Sequence, residues 1–375
     1  MLESYRWLDL ICPISFVVAF LASAPFGRRA WSMVDCSASF VFGLGLILIP
    51  EVILGFQVTG GKLDTVHAFL IRQIGALLVG QSVTLYLNRS SADGRMFGNV
   101  FYSRLFTTLL LLLGQSYSAY HLWDRKNIHF NFKFLLFACC GVGFWMLGCL
   151  VQLIRYREMG GYVQKTSYIT AGFFIDHFVL LLMAIVLFAF PTQVLRAMIK
   201  QKTIDGVHVC FVRTIAALLI GHALSSNSAP GYLYTRDQRS HLIGRLTTQV
   251  LTFSNNVFGH FVTDIFTLYH VTPFMMTGFY ITFLLTIFFR FNNEKNTIMG
   301  DVRSKGTNSM SNSLSESLSP SKKWTEQKDD SLDDIDRDEE KELDSGVVNG
   351  RPEAGVQPTS NKAEKVDGKK KKKKQ

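Results

Sequence analysis

Nine apolar runs, separated by short charged or turn-forming segments, occupy roughly the first 290 residues of the chain. Each run is about 20 residues long, the length that an α-helix needs to cross the hydrocarbon layer of a membrane. Backbone polar groups find no water in lipid, so each run is expected to be a helix. The pattern therefore predicts an all-α polytopic membrane protein with about nine transmembrane helices. The runs are Leu8–Phe26, Val34–Phe56, Thr65–Leu87, Asn99–Tyr120, Phe132–Ile154, Tyr168–Phe190, Gly206–Ser225, His241–Val262 and Val271–Phe289.

The first run has an alternative interpretation as a signal peptide, because Ala22-Ser23-Ala24 resembles a cleavage site. Two observations favour a retained leading helix instead. Pro25 would directly follow the cut, and the segment before the run carries little positive charge. Whether this span is retained stays open at the level of the sequence.

The chain contains an internal repeat without gaps. Asp35 matches Asp176, since 176 − 35 = 141, and Pro50 matches Pro191 at the same offset. Each copy holds four runs, and an even number of spans gives both copies the same orientation, so the repeat is parallel. The offset also pairs Asp64 with Asp205, His67 with His208, Arg72 with Arg213, Arg104 with Arg245 and His129 with His270.

These patterns divide the chain into four predicted parts. Residues 1–30 form a leading transmembrane helix, 31–160 a first four-helix repeat, 161–292 a second four-helix repeat, and 293–375 a disordered charged tail. The tail is rich in Ser, Asp, Glu and Lys, and it cannot bury enough apolar surface to offset its conformational entropy.

The first half contains Pro50, then the segment Arg72-Gln73-Ile74-Gly75-Ala76-Leu77-Leu78, then Arg104-Leu105. This arrangement resembles the DoxX-like group of small four-helix membrane proteins, and the second half is similar at the same offset. The resemblance covers most of each half and implies a four-helix fold for it. It carries over no activity, and the duplication and the long tail depart from the usual size of that group.

Ionisable residues inside the runs fall into two sets that the repeat carries twice. Such residues cost about 2.5–3.5 kcal/mol each on insertion scales, so they usually face the bundle interior and have partners. On the predicted cytosolic side, Asp35 is expected to pair with Arg104, and Asp176 with Arg245. On the opposite side each half gathers a polar cluster: Asp64, His67, Arg72 and His129 in the first, Asp205, His208, Arg213 and His270 in the second.

The repeated polar residues have two main interpretations. They are ion pairs and hydrogen bonds that fix helix packing, or they line a polar cavity in each half that binds an anionic headgroup or small solute through the Arg. Acid–base catalysis is the least favoured interpretation, because no nucleophile, metal triad or phosphate loop repeats with them. We therefore predict no catalytic residue, no metal site and no cofactor.

The net charge of +10 does not indicate nucleic-acid binding. Acidic and basic side chains balance after about residue 290, so the excess lies in the membrane part, and its loop distribution slightly favours a cytosolic C-terminus. Near that terminus, Lys372 and Lys373 resemble the dilysine retrieval signal of endoplasmic-reticulum membrane proteins, an address that a receptor reads. The alternative is a polybasic tail attracted to anionic lipid.

Together these features predict a non-enzymatic membrane protein of the endoplasmic reticulum with a cytosolic C-terminus. Its expected role is to assist the assembly, retention or trafficking of other membrane proteins. Its expected partners are membrane lipids and other membrane proteins, and not nucleic acid. The alternative function is that of a transporter or lipid-binding protein that uses polar cavities in the two repeats.

Overall fold

The computed structural model describes residues 18, 21–59, 63–122, 129–158, 168–200, 203–267 and 274–291. Ten α-helices lie between Arg28 and Phe291 in this part of the chain. They are α1 (Arg28–Leu48), α2 (Pro50–Gln57), α3 (Thr65–Leu87), α4 (Gly94–Leu122), α5 (Phe132–Tyr156), α6 (Tyr168–Ala189), α7 (Pro191–Met198), α8 (Gly206–Ser228), α9 (Thr235–Phe261) and α10 (Phe274–Phe291).

Non-helical structure among the described residues is short. Single 3-10 turns cover Ala24–Phe26 and Ala229–Gly231. Strand β1 (Val58–Thr59) pairs antiparallel with β2 (His129–Phe130), with Val58 opposite Phe130. The protein is therefore a helical bundle, as its apolar runs predict.

Seven of the described helices are long and apolar enough to cross a membrane, namely α1, α3, α4, α5, α6, α8 and α10. Helices α2 and α7 have eight residues each, which is less than half of a membrane-crossing length. A multi-pass helical membrane protein is the class that these helices support. The predicted leading span lies largely outside the described residues, and the predicted tail lies entirely outside them.

Helix α9 covers the predicted span His241–Val262 except for its last residue, yet it is not among the seven apolar helices. Its buried face is polar and includes His241, Arg245 and Asn256. The many polar residues of this helix lower its mean hydropathy. Their side chains turn inward to partners in the bundle, where the helix packs along α3. The count of nine spans therefore stays a prediction.

Helices in the two halves have matching bounds. Pro50 and Pro191 each begin an eight-residue helix, and proline is favoured at this first helical position because its missing N–H has no partner there in any case. Helix α3 (65–87) and helix α8 (206–228) differ by 141 at both ends. The halves diverge elsewhere. Val58 and Ile199 are equivalent at the offset of 141, but their partners, Phe130 and Phe266, are not. The interpretation as a duplication stays a prediction.

Helices α3 and α8 form the centre of the bundle. Helix α3 packs against α1, α8 and α9, and helix α8 packs against α3, α4 and α6. Nearly all of α3 is buried, whereas α5, α6 and α10 expose many large apolar side chains, as lipid-facing helices do. Residues on the two central helices therefore lie where the halves of the chain meet.

Close approach of the helices across the two halves depends on glycine. A Cβ at Gly80 of α3 would lie 1.7 Å from Thr248 Oγ1 and 2.8 Å from the carbonyl oxygen of Gly244, both on α9. A Cβ at Gly221 of α8 would lie 2.1 Å from Thr107 Oγ1 on α4. Small residues at helix contacts let backbones approach closely in membranes. The α3–α9 and α4–α8 contacts are built in this way.

Candidate functional site

Helices α3 and α8 begin in the same manner, each with an aspartate followed three residues later by a histidine. Asp64 accepts a hydrogen bond of 2.9 Å from the backbone N–H of His67, and Asp205 accepts one of 2.9 Å from that of His208. In both helices the histidine side chain turns back to the capping residue, which completes a capping box. The local sequence thus fixes where both helices start and which way both imidazoles point.

The four residues meet in one cluster, which we call the His–Asp cluster (Asp64, His67, Asp205 and His208). The Nδ1 atom of each histidine lies against its own capping carboxylate, at 2.7 Å in α3 and 3.0 Å in α8. Each Nε2 atom lies 3.2 Å from the carboxylate of the other helix. The imidazole rings stack with their centroids 3.7 Å apart and their planes at 25°.

Both histidines of the cluster are fully buried, while the carboxylates reach the surface. The side chains of Asp64 and Asp205 are 26% and 20% exposed, against 0% for His67 and His208. Burial opposes ionisation of Asp205, but the hydrogen bonds from His208 and the close contact with the His67 imidazole outweigh it and lower the pKa of its carboxyl group. The two carboxylates thus form the partly exposed side of the cluster, and the two imidazoles form its buried side.

The cluster draws Asp64 and His67 from the first half of the chain and Asp205 and His208 from the second. Residues from both halves join in one cluster because α3 and α8 pack side by side with their N-termini at the same end. The arrangement also brings together a candidate set of metal ligands, which sequence reasoning did not anticipate. Asp64, His67 and His208 each offer a ligand atom within 4.8 Å of the others.

The two arginines expected to anchor a ligand each lie beside an aromatic ring. The guanidinium of Arg72 lies 4.5 Å from the ring centroid of Phe258, and its Nε donates to the carbonyl oxygen of Ile47. The guanidinium of Arg213 lies 4.7 Å from the ring of Tyr117 and 5.9 Å from that of Phe188. Each arginine therefore contacts an aromatic residue of the opposite half.

Four other predicted residues are only partly or not at all described. His129 lies in β2, where its backbone pairs with Thr59, and its side chain is not described. His270, Lys372 and Lys373 lie outside the described residues. The retrieval signal is thus a feature of the sequence alone.

The first predicted ion pair is present in the interior. Arg104 donates from Nε to Asp35 Oδ2 at 3.0 Å, and its other two nitrogens bond Gln81 and Ser39. The side chains of Asp35 and Arg104 are both 0% exposed. The guanidinium also lies 4.7 Å from the ring of Trp145. This pair ties α1, α3, α4 and α5 together.

The second predicted ion pair is also present, with different support. Arg245 donates from Nε and Nη2 to Asp176, at 3.1 and 3.2 Å. Asp176 also accepts hydrogen bonds from Ser226 and Tyr280. This pair ties α6, α8, α9 and α10 together, so each half has one buried Asp–Arg centre.

A layer of buried polar residues between the two ion pairs was missed by sequence reasoning. A small cavity there is lined by Gln81, Thr84, Leu85, Val100, His222, Ser225 and His241. Gln81 and His222 are 141 residues apart, so they occupy equivalent positions of the repeat. Their residue types differ, so the repeat is not visible in the sequence at this position. His222 contacts the carbonyl oxygen of Leu77 at 3.1 Å, and Ser225 donates to Ser103 at 2.9 Å.

The contact between Ser226 and His241 has the residue types of a nucleophile and its base, and their separation is 2.9 Å. The hydroxyl of Ser226, however, donates to Asp176. An activated serine needs its proton directed to the base. The serine therefore acts as a support of the Asp176–Arg245 pair in this arrangement.

Comparison with known proteins gives a family and no activity. No curated protein and no solved structure matches the chain. Residues 33–288 match the model of a family described as a domain of unknown function, DUF8292. The match covers more than half of the chain and includes the His–Asp cluster and both Asp–Arg pairs. The chain belongs to the DUF8292 family.

Proposed function

We propose that this chain is a non-enzymatic membrane protein of the endoplasmic reticulum that assists the assembly, retention or trafficking of other membrane proteins. In this proposal its C-terminus is cytosolic, and it works by binding membrane-protein partners within a lipid environment. The transmembrane bundle supplies the anchor, and the charged tail supplies the address.

The observation that carries this proposal is the closure of the two buried Asp–Arg pairs. Asp35 and Arg104 are 0% exposed and bonded to each other, and Asp176 and Arg245 are bonded in the same way. Charges inside a membrane protein mark a transport path or a packing device. Here each arginine is bonded to its aspartate and to neighbouring side chains, which favours a role in helix packing over a transport path. A stable helical bundle of this kind is consistent with a protein that works by binding other membrane proteins.

The tail supports the location. In this proposal Lys372 and Lys373, which resemble a dilysine retrieval signal, direct the protein to the endoplasmic reticulum. The Ser-rich segment 309–321 and the acidic segment 329–344 give the same tail charged stretches that phosphorylation can modify.

The proposed architecture has nine spans, with a leading helix before two parallel four-helix repeats. The matching bounds of α2 with α7 and of α3 with α8 support the repeats. The similarity to the DoxX-like group belongs to the same proposal. A ninth span requires α9 to cross the membrane with its polar face against α3.

The test is purification of the tagged protein at native level in mild detergent, with mass spectrometry of the proteins and lipids that accompany it. Three forms are compared: the full chain, the chain without residues 293–375, and the full chain with Lys372→Ala and Lys373→Ala. We expect a reproducible set of membrane-protein partners, reduced by removal of the tail. The double lysine variant should keep its fold and leave the endoplasmic reticulum.

Recovery without protein partners, with one lipid or solute strongly enriched, would overturn this proposal. That outcome favours the second candidate, a transporter or lipid-binding protein. The observation behind it is the buried polar layer that contains Gln81, His222 and His241 beside a cavity. Loss of the enriched compound in Arg72→Ala, with normal folding, would place the compound beside that arginine.

A further inference from the structure

We propose that the His–Asp cluster binds a divalent transition-metal ion such as Zn²⁺. The ligands are Asp64, His67 and His208. This inference goes beyond the proposed function and does not depend on it. Two imidazoles with a carboxylate form a donor set that suits Zn²⁺ and its neighbours in the first transition series.

The spacing of the donor atoms fits a metal centre. Asp64, His67 and His208 offer ligand atoms that all lie within 4.8 Å of one another. The Nε2 atoms of His67 and His208 each lie 3.2 Å from a carboxylate oxygen of the other helix. Two ligands at bond lengths of about 2.0–2.2 Å and a tetrahedral angle lie about 3.3–3.6 Å apart. The observed separations need only small shifts to enclose an ion.

One imidazole nitrogen lacks the hydrogen bond that its burial demands. The Nε2 atom of His67 is buried and lies 3.2 Å from Asp205 Oδ2, but outside hydrogen-bond geometry. A buried polar atom without a hydrogen bond is costly unless something else satisfies it. Coordination of a metal ion by its lone pair would supply that interaction.

The orientation of the rings matches that of metal-binding histidines. In many metal sites a histidine binds the ion with one nitrogen while the other contacts a carboxylate that fixes the ring. Here the Nδ1 atoms of His67 and His208 lie against Asp64 and Asp205, at 2.7 and 3.0 Å. Those contacts fix the rings and leave both Nε2 atoms directed at the opposite helix.

The position of the cluster also gives an ion a way in. The capping aspartates precede α3 and α8, and they are 26% and 20% exposed. An ion arriving from water meets the two carboxylates first and the buried imidazoles next. Helix N-termini carry partial positive charge that opposes a cation, and the negative charge of the two carboxylates offsets it.

The test uses the full-length protein with an affinity tag that contains no histidine, purified in detergent and stripped with a chelator. Zn²⁺ is titrated by calorimetry, and Co²⁺ is added separately to read its visible absorption, which reports nitrogen and oxygen ligands directly. We expect one ion per chain and an upward shift of the thermal midpoint with Zn²⁺, because an ion that binds only the folded state stabilises it.

The central variant is Asp64→Asn, because asparagine caps a helix about as well as aspartate but is a poor metal ligand. It should fold normally and bind Zn²⁺ at least about 10-fold more weakly, and His208→Gln should lose the Co²⁺ spectrum. His260→Ala is the matched control, since this histidine makes edge-on ring contacts with Phe261 and Phe274 and is not a member of the ligand group. It should bind both ions like the natural protein.

Two results would overturn the proposal. One is a stripped protein that takes up neither ion saturably and keeps its thermal midpoint, which would make the cluster a hydrogen-bonded helix cap only. The other is uptake that is unchanged in Asp64→Asn and His208→Gln, which would place the ion elsewhere.

Discussion

His67 and His208 stack their imidazole rings 3.7 Å apart at the point where the two halves of the chain meet. Each ring contacts the aspartate that caps its own helix and the aspartate that caps the other. The starts of α3 and α8 are therefore mutually dependent. A change to either cap acts on the junction between the halves as well as on one helix.

The two capping aspartates should contribute similarly to stability. Asp64→Ala and Asp205→Ala each remove an N-cap hydrogen bond and a carboxylate that two histidines contact, so each should cost about 0.5–2 kcal/mol from the cap alone. The Asn variants at both positions should cost much less, because the amide oxygen still accepts from the backbone N–H. Unfolding free energies from detergent denaturation titrations measure this. An equal loss in Asp64→Asn and Asp64→Ala would contradict the capping role.

Breaking one partner of a buried ion pair should be far more damaging than breaking an exposed one. Arg104→Ala leaves Asp35 buried without its main partner and should cost about 3–5 kcal/mol. The exposed pair of Lys200 and Asp264, whose side chains are 53% and 72% exposed, is the matched control. Lys200→Ala should cost at most about 1 kcal/mol.

A double variant tests whether Asp35 and Arg104 act as one unit. Removal of both charges, with Asp35→Leu and Arg104→Met, should be less destabilising than the sum of the two single changes, because no charge stays buried alone. The measurement is the coupling energy of the double-mutant cycle. Simple additivity would mean that Gln81, Ser39 and Trp145 hold the arginine without the aspartate.

Sequence reasoning reached the Asp–Arg pairs because both partners lie within one half and recur at the same offset. It could not reach the His–Asp cluster as a unit, because Asp64 and His208 are 144 residues apart and only the packing of α3 on α8 joins them. Periodicity reports which face of a helix is buried, not which helix covers it. The same limit explains Arg72, whose aromatic contact, Phe258, belongs to the other half.

The helix contacts across the halves should fail when a methyl group is added. Gly80→Ala places its Cβ 1.7 Å from Thr248 Oγ1 and 2.8 Å from the carbonyl oxygen of Gly244, so α3 and α9 must move apart. The expected cost is about 1–3 kcal/mol. Gly143→Ala is the matched control, because nothing lies within 4 Å of its added Cβ.

Thr248→Ala should relieve Gly80→Ala in part, since it removes the closest atom while the carbonyl oxygen of Gly244 stays in place. The thermal midpoints of the two single variants and the double variant measure this relief. Full tolerance of Gly80→Ala, with a midpoint equal to that of Gly143→Ala, would show that α3 and α9 are not in close contact.

The last prediction concerns the two arginines that stack on aromatic rings of the opposite half. Arg72→Ala and Arg213→Ala should each cost about 0.5–2 kcal/mol, the range of a cation–π contact from an exposed to a desolvated position. Both guanidinium groups lie over a ring at similar distances, 4.5 and 4.7 Å, so the two losses should be similar. Arg196→Ala, on the exposed side of α7, is the control and should change stability little. When the ring is already replaced, in Phe258→Leu or Tyr117→Leu, the corresponding arginine-to-alanine change should cause little further loss of stability. Normal stability of Arg72→Ala with a lost function would instead assign that arginine to ligand binding, since a packing role cannot be lost without a loss of folded protein.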